Sequence, residues 1–174
     1  MNKNYYFFWR GKFSQWIKSP FEEFGVQFGC AEQFMMASKA KLFGDNEAYE
    51  QIMNTKSPKA QQAFGRKVKG FDKEIWDDNA RDIVTLGNLN KFTQNEDLFK
   101  LLYKNKDKFF VEASPYDKVW GVGLSETDPL IQNSKNWTGK NWLGECLNRT
   151  VKLIVEKKYK EVFLLKQHFM MKFK

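Results

Sequence analysis

The chain has 174 residues, 29 basic against 21 acidic for a formal charge of +8, and 42% of its residues are hydrophobic. That length suits one domain able to bury a core without disulfide staples, and the hydrophobic share excludes a disordered chain. The basic balance favours phosphate-bearing partners. No apolar run approaches the ~18 residues of a membrane span and no signal-type segment opens the chain, so a cytoplasmic protein with no membrane partner is expected.

Residues Tyr5 to Trp9 read as a short buried strand, closed by Arg10-Gly11. An irregular aromatic segment follows over residues 13–28. A helix is expected over about residues 31–43, stopped at Gly44-Asp45, and a second over residues 47–54. Ser57-Pro58 signals a third, with Ser as N-cap and Pro in the first turn, running to about Lys69 and stopping at Gly70. Asp72 caps a fourth, in which Ile75, Trp76, Ala80, Ile83 and Val84 fall at helical spacing. A fifth helix is expected over residues 96–103. Phe109 to Ala113 has strand composition, and Trp120 to Leu124 reads as another strand in which Gly121 and Gly123 mark close backbone approaches. After a polar loop, a long helix is expected over residues 142–158. The tail beyond it is apolar and basic and fits either a strand or a helix. The sum is one α+β domain, mainly α, of several helices around a small β-sheet, with a core over about residues 5–158 and an extension over residues 159–174.

Much chemistry is absent. His168 is the sole histidine, which leaves no multi-histidine metal site, and no Cys-x-x-Cys pair offers a zinc clip, so no metal or cofactor is expected. Cys30 and Cys146 lie far apart and read as reduced thiols. A Cys-His dyad is formally available, but a lone histidine in an apolar, basic tail is more often structural. No P-loop, G-x-G-x-x-G or G-x-S-x-G motif occurs. Carboxylates set among aromatic residues remain for acid/base work, and the 17% aromatic content exceeds what a core of this size needs.

Two clusters carry them, and a third offers a candidate anion site. Glu32, Met36, Lys39 and Phe43 share one face of the first helix, with Glu32 in its first turn, where a carboxylate serves either the helix dipole or chemistry. Glu112 and Asp117 flank a turn with Trp120 close behind, read either as a reactive loop or as an ordinary turn. Thr138-Gly139-Lys140-Asn141 opens a helix whose free N–H groups are suited to a phosphate, with Lys140 adding charge.

Taken in order, the pieces resemble the NADAR, or YbiA-like, family of N-glycosidases. They are Phe8-Trp9; Ser14-Gln15-Trp16; residues 30–37 (Cys-Ala-Glu-Gln-Phe-Met-Met-Ala) with Lys39; Gly65-Arg66 with Lys69; Trp76; Lys91-Phe92; Glu112 with Asp117 and Trp120-Gly121; and Gly139-Lys140-Asn141 with Leu143-Gly144. Two departures stand out: relatives commonly carry Ser-Glu-His where this chain has Ala31-Glu32-Gln33, and Ser-Asn-Phe where it has Ser14-Gln15-Trp16. The resemblance implies a mainly helical α+β fold and hydrolysis of a bond between ribose C1 and a nitrogen. It implies Glu32, Asp117 and Trp76 as catalytic or substrate-holding residues, and Trp9, Lys39, Arg66, Lys69, Glu112, Trp120, Lys140 and Asn141 as further candidates around the substrate. Two substrate classes come with it: ADP-ribose on guanine bases of nucleic acid, and phosphorylated early intermediates of riboflavin synthesis. A non-catalytic module that binds ADP-ribose or nucleic acid is the third reading, disfavoured by the three carboxylates present. The partner expected is thus an ADP-ribosylated nucleic acid or a ribose-phosphate small molecule.

Overall fold

The structure is a computed structural model and describes residues 4–173. Strand β1 (Tyr5–Phe8) pairs in parallel with β4 (Phe109–Glu112), Phe8 standing opposite Glu112, so the pair ends beside a candidate carboxylate. The stretch expected to be irregular contains a hairpin, β2 (Phe21–Glu23) and β3 (Val26–Phe28). Its turn is Phe24-Gly25, both at positive φ, which matches the twist of a two-residue hairpin loop. A Phe in the left-handed region is a poor sequence signal, which is why the hairpin is hard to foresee.

Among the described residues seven α-helices surround these strands: α1 (Ala31–Leu42), α2 (Asn46–Asn54), α3 (Pro58–Gly65), α4 (Lys73–Thr93), α5 (Glu96–Lys104), α6 (Trp142–Val155) and α7 (Tyr159–Phe173). The caps read from sequence form: Ser57 Oγ accepts from Ala60 N at 3.4 Å, and Asp72 Oδ1 from Ile75 N at 2.9 Å. Asp45 caps α2 through Oδ1, and its Oδ2 accepts the backbone N–H of Lys69 at 2.8 Å. That second bond draws the chain after Gly65 back towards α2, so α3 ends four residues before the expected Lys69. Helix α4 is the axis of the domain, packing on α1, α5, α6 and α7, and every residue from Ile83 to Phe92 is buried. Gly87 admits the Phe34 ring of α1 against α4, since a Cβ there would stand 2.8 Å from Phe34 Cδ1.

The tail takes the helical option. Helix α7 covers the hairpin and α1: Phe173 packs on Phe24, Phe28 and Phe34, and Lys166 Nζ pairs with the buried Glu23 carboxylate at 2.8 Å.

The strand expected over Trp120 to Leu124 does not form, because the segment's carbonyls are taken elsewhere. Val119 O accepts from Trp142 N, Trp120 O from Leu143 N, Gly121 O from Asn141 N, and Val122 O from both Thr138 N and Gly139 N. The start of α6 is thereby plugged into this loop, not laid beside a strand. Close approach still explains Gly121, whose Cβ would meet Glu112 O at 3.0 Å and Asp117 O at 2.9 Å.

Candidate active site

One cleft of about 450 Å³ opens where the ends of β1 and β4, the segment of residues 14–16, α1, α3, α4 and the loop of residues 114–120 converge. Helix α1 contributes Glu32, Met35, Met36 and Lys39, the face set by the helical spacing of the sequence. Helix α3 adds Gln62, and Arg66 follows at its C-cap; Gly65 allows α3 this close, since a Cβ there would collide with the Met36 side chain. Trp76 comes from α4, Trp9 and Arg10 from the end of β1, and Glu112, Ser114, Asp117 and Trp120 from β4 and the following loop.

The structure therefore brings together Glu32, Asp117, Trp76, Trp9, Lys39, Arg66, Glu112 and Trp120. It leaves three candidates outside. Lys69 points to solvent, 76% exposed, with Nζ paired to Glu47 at 2.8 Å. Lys140 lies over the Trp142 ring, 4.8 Å from its centroid, and away from the lining. The anion cradle expected at the start of α6 is closed, because the N–H groups of Gly139, Lys140, Asn141, Trp142 and Leu143 all bond to carbonyls of residues 118–122. Asn141, at φ 58°, is a buried brace: Oδ1 accepts from Glu112 N at 2.9 Å and Nδ2 donates to Phe110 O at 3.1 Å. It holds the end of β4 and so aims Glu112. Arg10, Gln15, Gln62 and Ser114 also line the cleft and are not among the residues expected there; Ser14-Gln15-Trp16 is a motif of the sequence, but nothing in its spacing shows that it faces the same space as Glu32.

Three carboxylates lie within electrostatic reach of one another here. Glu32 is 5% exposed, and burial raises its pKa to about 7; hydrogen bonds from the Trp16 and Gln62 side chains and the charge of Arg66 oppose the rise, while Asp117 adds to it. Its Oε1 meets no hydrogen-bonding partner among the described residues. Burial raises Glu112 to about 8, helped by the negative charges of Asp117 and Glu32, and its Oε2 is likewise unpartnered among the described residues. Asp117 is fixed differently: Oδ1 accepts the N–H groups of Val119 and Trp120, both at 2.8 Å. In the same cleft, burial and then the neighbouring Arg66 charge lower the Lys39 pKa, and its Nζ lies 5.3 Å from the Trp76 ring centroid. Half-buried Lys39 and exposed Arg66 repel each other and favour an anion between them. Arg10 stacks over Trp9 at 4.9 Å.

The other titratable candidates stand apart. Burial raises Cys30, whose Sγ bonds Gln61 Oε1, and raises Cys146 to about 12, so neither is poised as a thiolate. His168 is on α7 beside Asn79. Among the described residues no group of three or more His, Cys, Asp or Glu is arranged to hold a metal ion, and no helix is long and apolar enough to cross a membrane.

The NADAR domain matches residues 6–154, ending just before α7. The chain is 44% identical over 140 residues to an N-glycosidase of Acanthamoeba polyphaga mimivirus, covering 78% of this chain and 82% of that protein. It is 38% identical over 126 residues to the protein irg-1 of Caenorhabditis elegans, spanning 71% of this chain and 59% of that one. An N-glycosidase of Nostoc punctiforme is 28% identical over 120 residues, 69% of this chain and 70% of its own. In fold, the chain matches the NMR structure of the Escherichia coli protein YbiA with a TM-score of 0.73 at 23% identity, covering 91% and 89% of the two chains. The chain belongs to the NADAR domain family and is a glycosidase of the N-glycosidase kind.

Proposed function

We propose that the chain removes ADP-ribose from guanine bases in nucleic acid, by hydrolysis of the bond between ribose C1 and the base nitrogen. The observation that carries this reading is the make-up of this cleft, which gathers the buried Glu32 and half-buried Glu112 carboxyls with raised pKa, the Lys39 and Arg66 cations, and the indoles of Trp9, Trp16, Trp76 and Trp120. Breaking the bond builds positive charge on the ribose ring and leaves the electron pair on the nitrogen. Glu112, protonated at neutral pH with its pKa near 8, gives that nitrogen a proton. Glu32, about half ionised at pH 7, stabilises the ring cation and takes the proton of the water that adds to C1. Asp117, fixed by two backbone N–H groups, orients water or the ribose hydroxyls. Lys39 and Arg66 hold the diphosphate, and Trp76 and Trp120 stack on the rings. The formal charge of +8 favours a substrate embedded in a polyanion.

Incubation with guanine-ADP-ribosylated DNA, and separately with the phosphorylated riboflavin intermediate, followed by mass analysis of products, tests the reading. Release of ADP-ribose from the first is expected. Turnover of the second alone would refute the assignment and leave the carboxylate roles to a smaller substrate.

A further inference from the structure

Gln15 is 8% exposed and faces the cleft, yet neither Nε2 nor Oε1 of its amide meets a hydrogen-bonding partner among the described residues. A buried amide without partners is uncommon and calls for an explanation. The backbone around it is, by contrast, held from two sides. Gln15 O accepts the N–H of Glu32 at 3.0 Å, at the first turn of α1. Ser14 O accepts from Lys91 Nζ at 2.8 Å, and Lys91 is a fully buried lysine of α4. The segment is thus fixed between two helices, and the side chain is left unpaired in the cleft that Glu32 also lines.

A primary amide offers a donor and an acceptor side by side, and is complementary to a ligand edge carrying one acceptor next to one donor. We infer that Gln15 is a specificity-determining residue, making a two-point contact with the lactam edge, carbonyl beside ring N–H, of the departing base. The inference rests on the proposed reaction for the place of the base near Glu32, but not on the identity of the sugar-phosphate half. The fixed backbone and the burial of the side chain restrict the rotamers open to the amide, so the contact loses little to ordering. A base that lacks the ring N–H leaves Oε1 buried and unpaired, which is a strong basis for rejection.

Binding separates this from the reaction itself. Trp9, Trp16, Trp76 and Trp120 line the cleft and report occupancy by fluorescence. The full-length chain and its Gln15→Met variant are titrated with guanosine, 1-methylguanosine and ADP-ribose. The natural chain is expected to bind guanosine roughly tenfold more tightly than 1-methylguanosine. Gln15→Met should erase that difference while keeping its affinity for ADP-ribose, which also reports that the variant is folded. Gln15→Glu, which replaces the donor by an acceptor, should weaken guanosine without affecting ADP-ribose. Equal binding of the two nucleosides by the natural chain, absence of guanosine binding, or a loss of ADP-ribose affinity in Gln15→Met matching the loss for guanosine would each overturn the inference. Discrimination without release of ADP-ribose from DNA would instead leave Gln15 standing and remove the proposed reaction.

Discussion

Replacing Glu32 by Gln tests the raised pKa of the buried carboxyl as well as its chemistry. The unfolded chain gives up the Glu32 proton near 4.5, whereas the folded chain holds it to about 7. Between those values the folded state binds more protons, so stability falls as pH rises and the full cost is present above pH 7. At about 1.4 kcal/mol per pH unit, the interval from 4.5 to about 7 corresponds to about 3 kcal/mol. At 5% exposure, little of this is screened by solvent. Glu32→Gln keeps the shape and removes the titration, so at pH 8 it should gain up to about 3 kcal/mol, or about 6–12 °C in Tm for a domain of this size. At pH 4 both side chains are neutral and the difference should nearly vanish. Thermal denaturation followed by circular dichroism at the two pH values, with glycosidase activity alongside, makes the comparison. Activity should be nearly abolished at every pH. A variant less stable than the natural chain at pH 8, or offset by the same amount at both pH values, would refute the account of a destabilised buried carboxylate.

Glu112→Gln should lower kcat by about 10²–10⁴-fold by removing the proton donor, and the loss should shrink for a substrate whose leaving nitrogen needs no proton. The natural chain should show a bell-shaped kcat/KM profile centred between about 7 and 8, and Glu112→Gln should lose its alkaline limb. Trp76→Ala should cost about 1–3 kcal/mol of substrate stacking, read as a fall in kcat/KM, with Trp76→Phe recovering much of it. Asn141→Ala should destabilise the fold by about 1–3 kcal/mol, since it frees the N–H of Glu112 and leaves the Phe110 carbonyl only its longer bond, 3.4 Å, from Asn148 Nδ2. Lys69→Ala should leave turnover unchanged, because its charge pairs with Glu47 at the surface.

Local sequence determined a good deal of this protein. Ser57-Pro58 and Asp72 are short-range signals, complete within a few residues, and the caps they predict are present. The face carrying Glu32, Met36 and Lys39 follows from helical geometry alone, and the cleft is built on it. The ordered motifs likewise sufficed for the family. What the sequence left open depends on partners distant in the chain. Residues 120–124 have strand composition, but the N–H groups of residues 138–143 take the carbonyls of residues 119–122. The same bonds fill the helix start that read as an anion cradle and make Asn141 a brace for Glu112. Lys69 and Arg66 are three positions apart with the same charge, yet only Arg66 faces the cleft, because Asp45 pulls the chain away beyond it. The raised pKa of Glu32 and Glu112 and the unpaired amide of Gln15 are properties of burial among residues far apart in sequence. They exist only once α1, α3, α4 and the end of β4 have closed around one space.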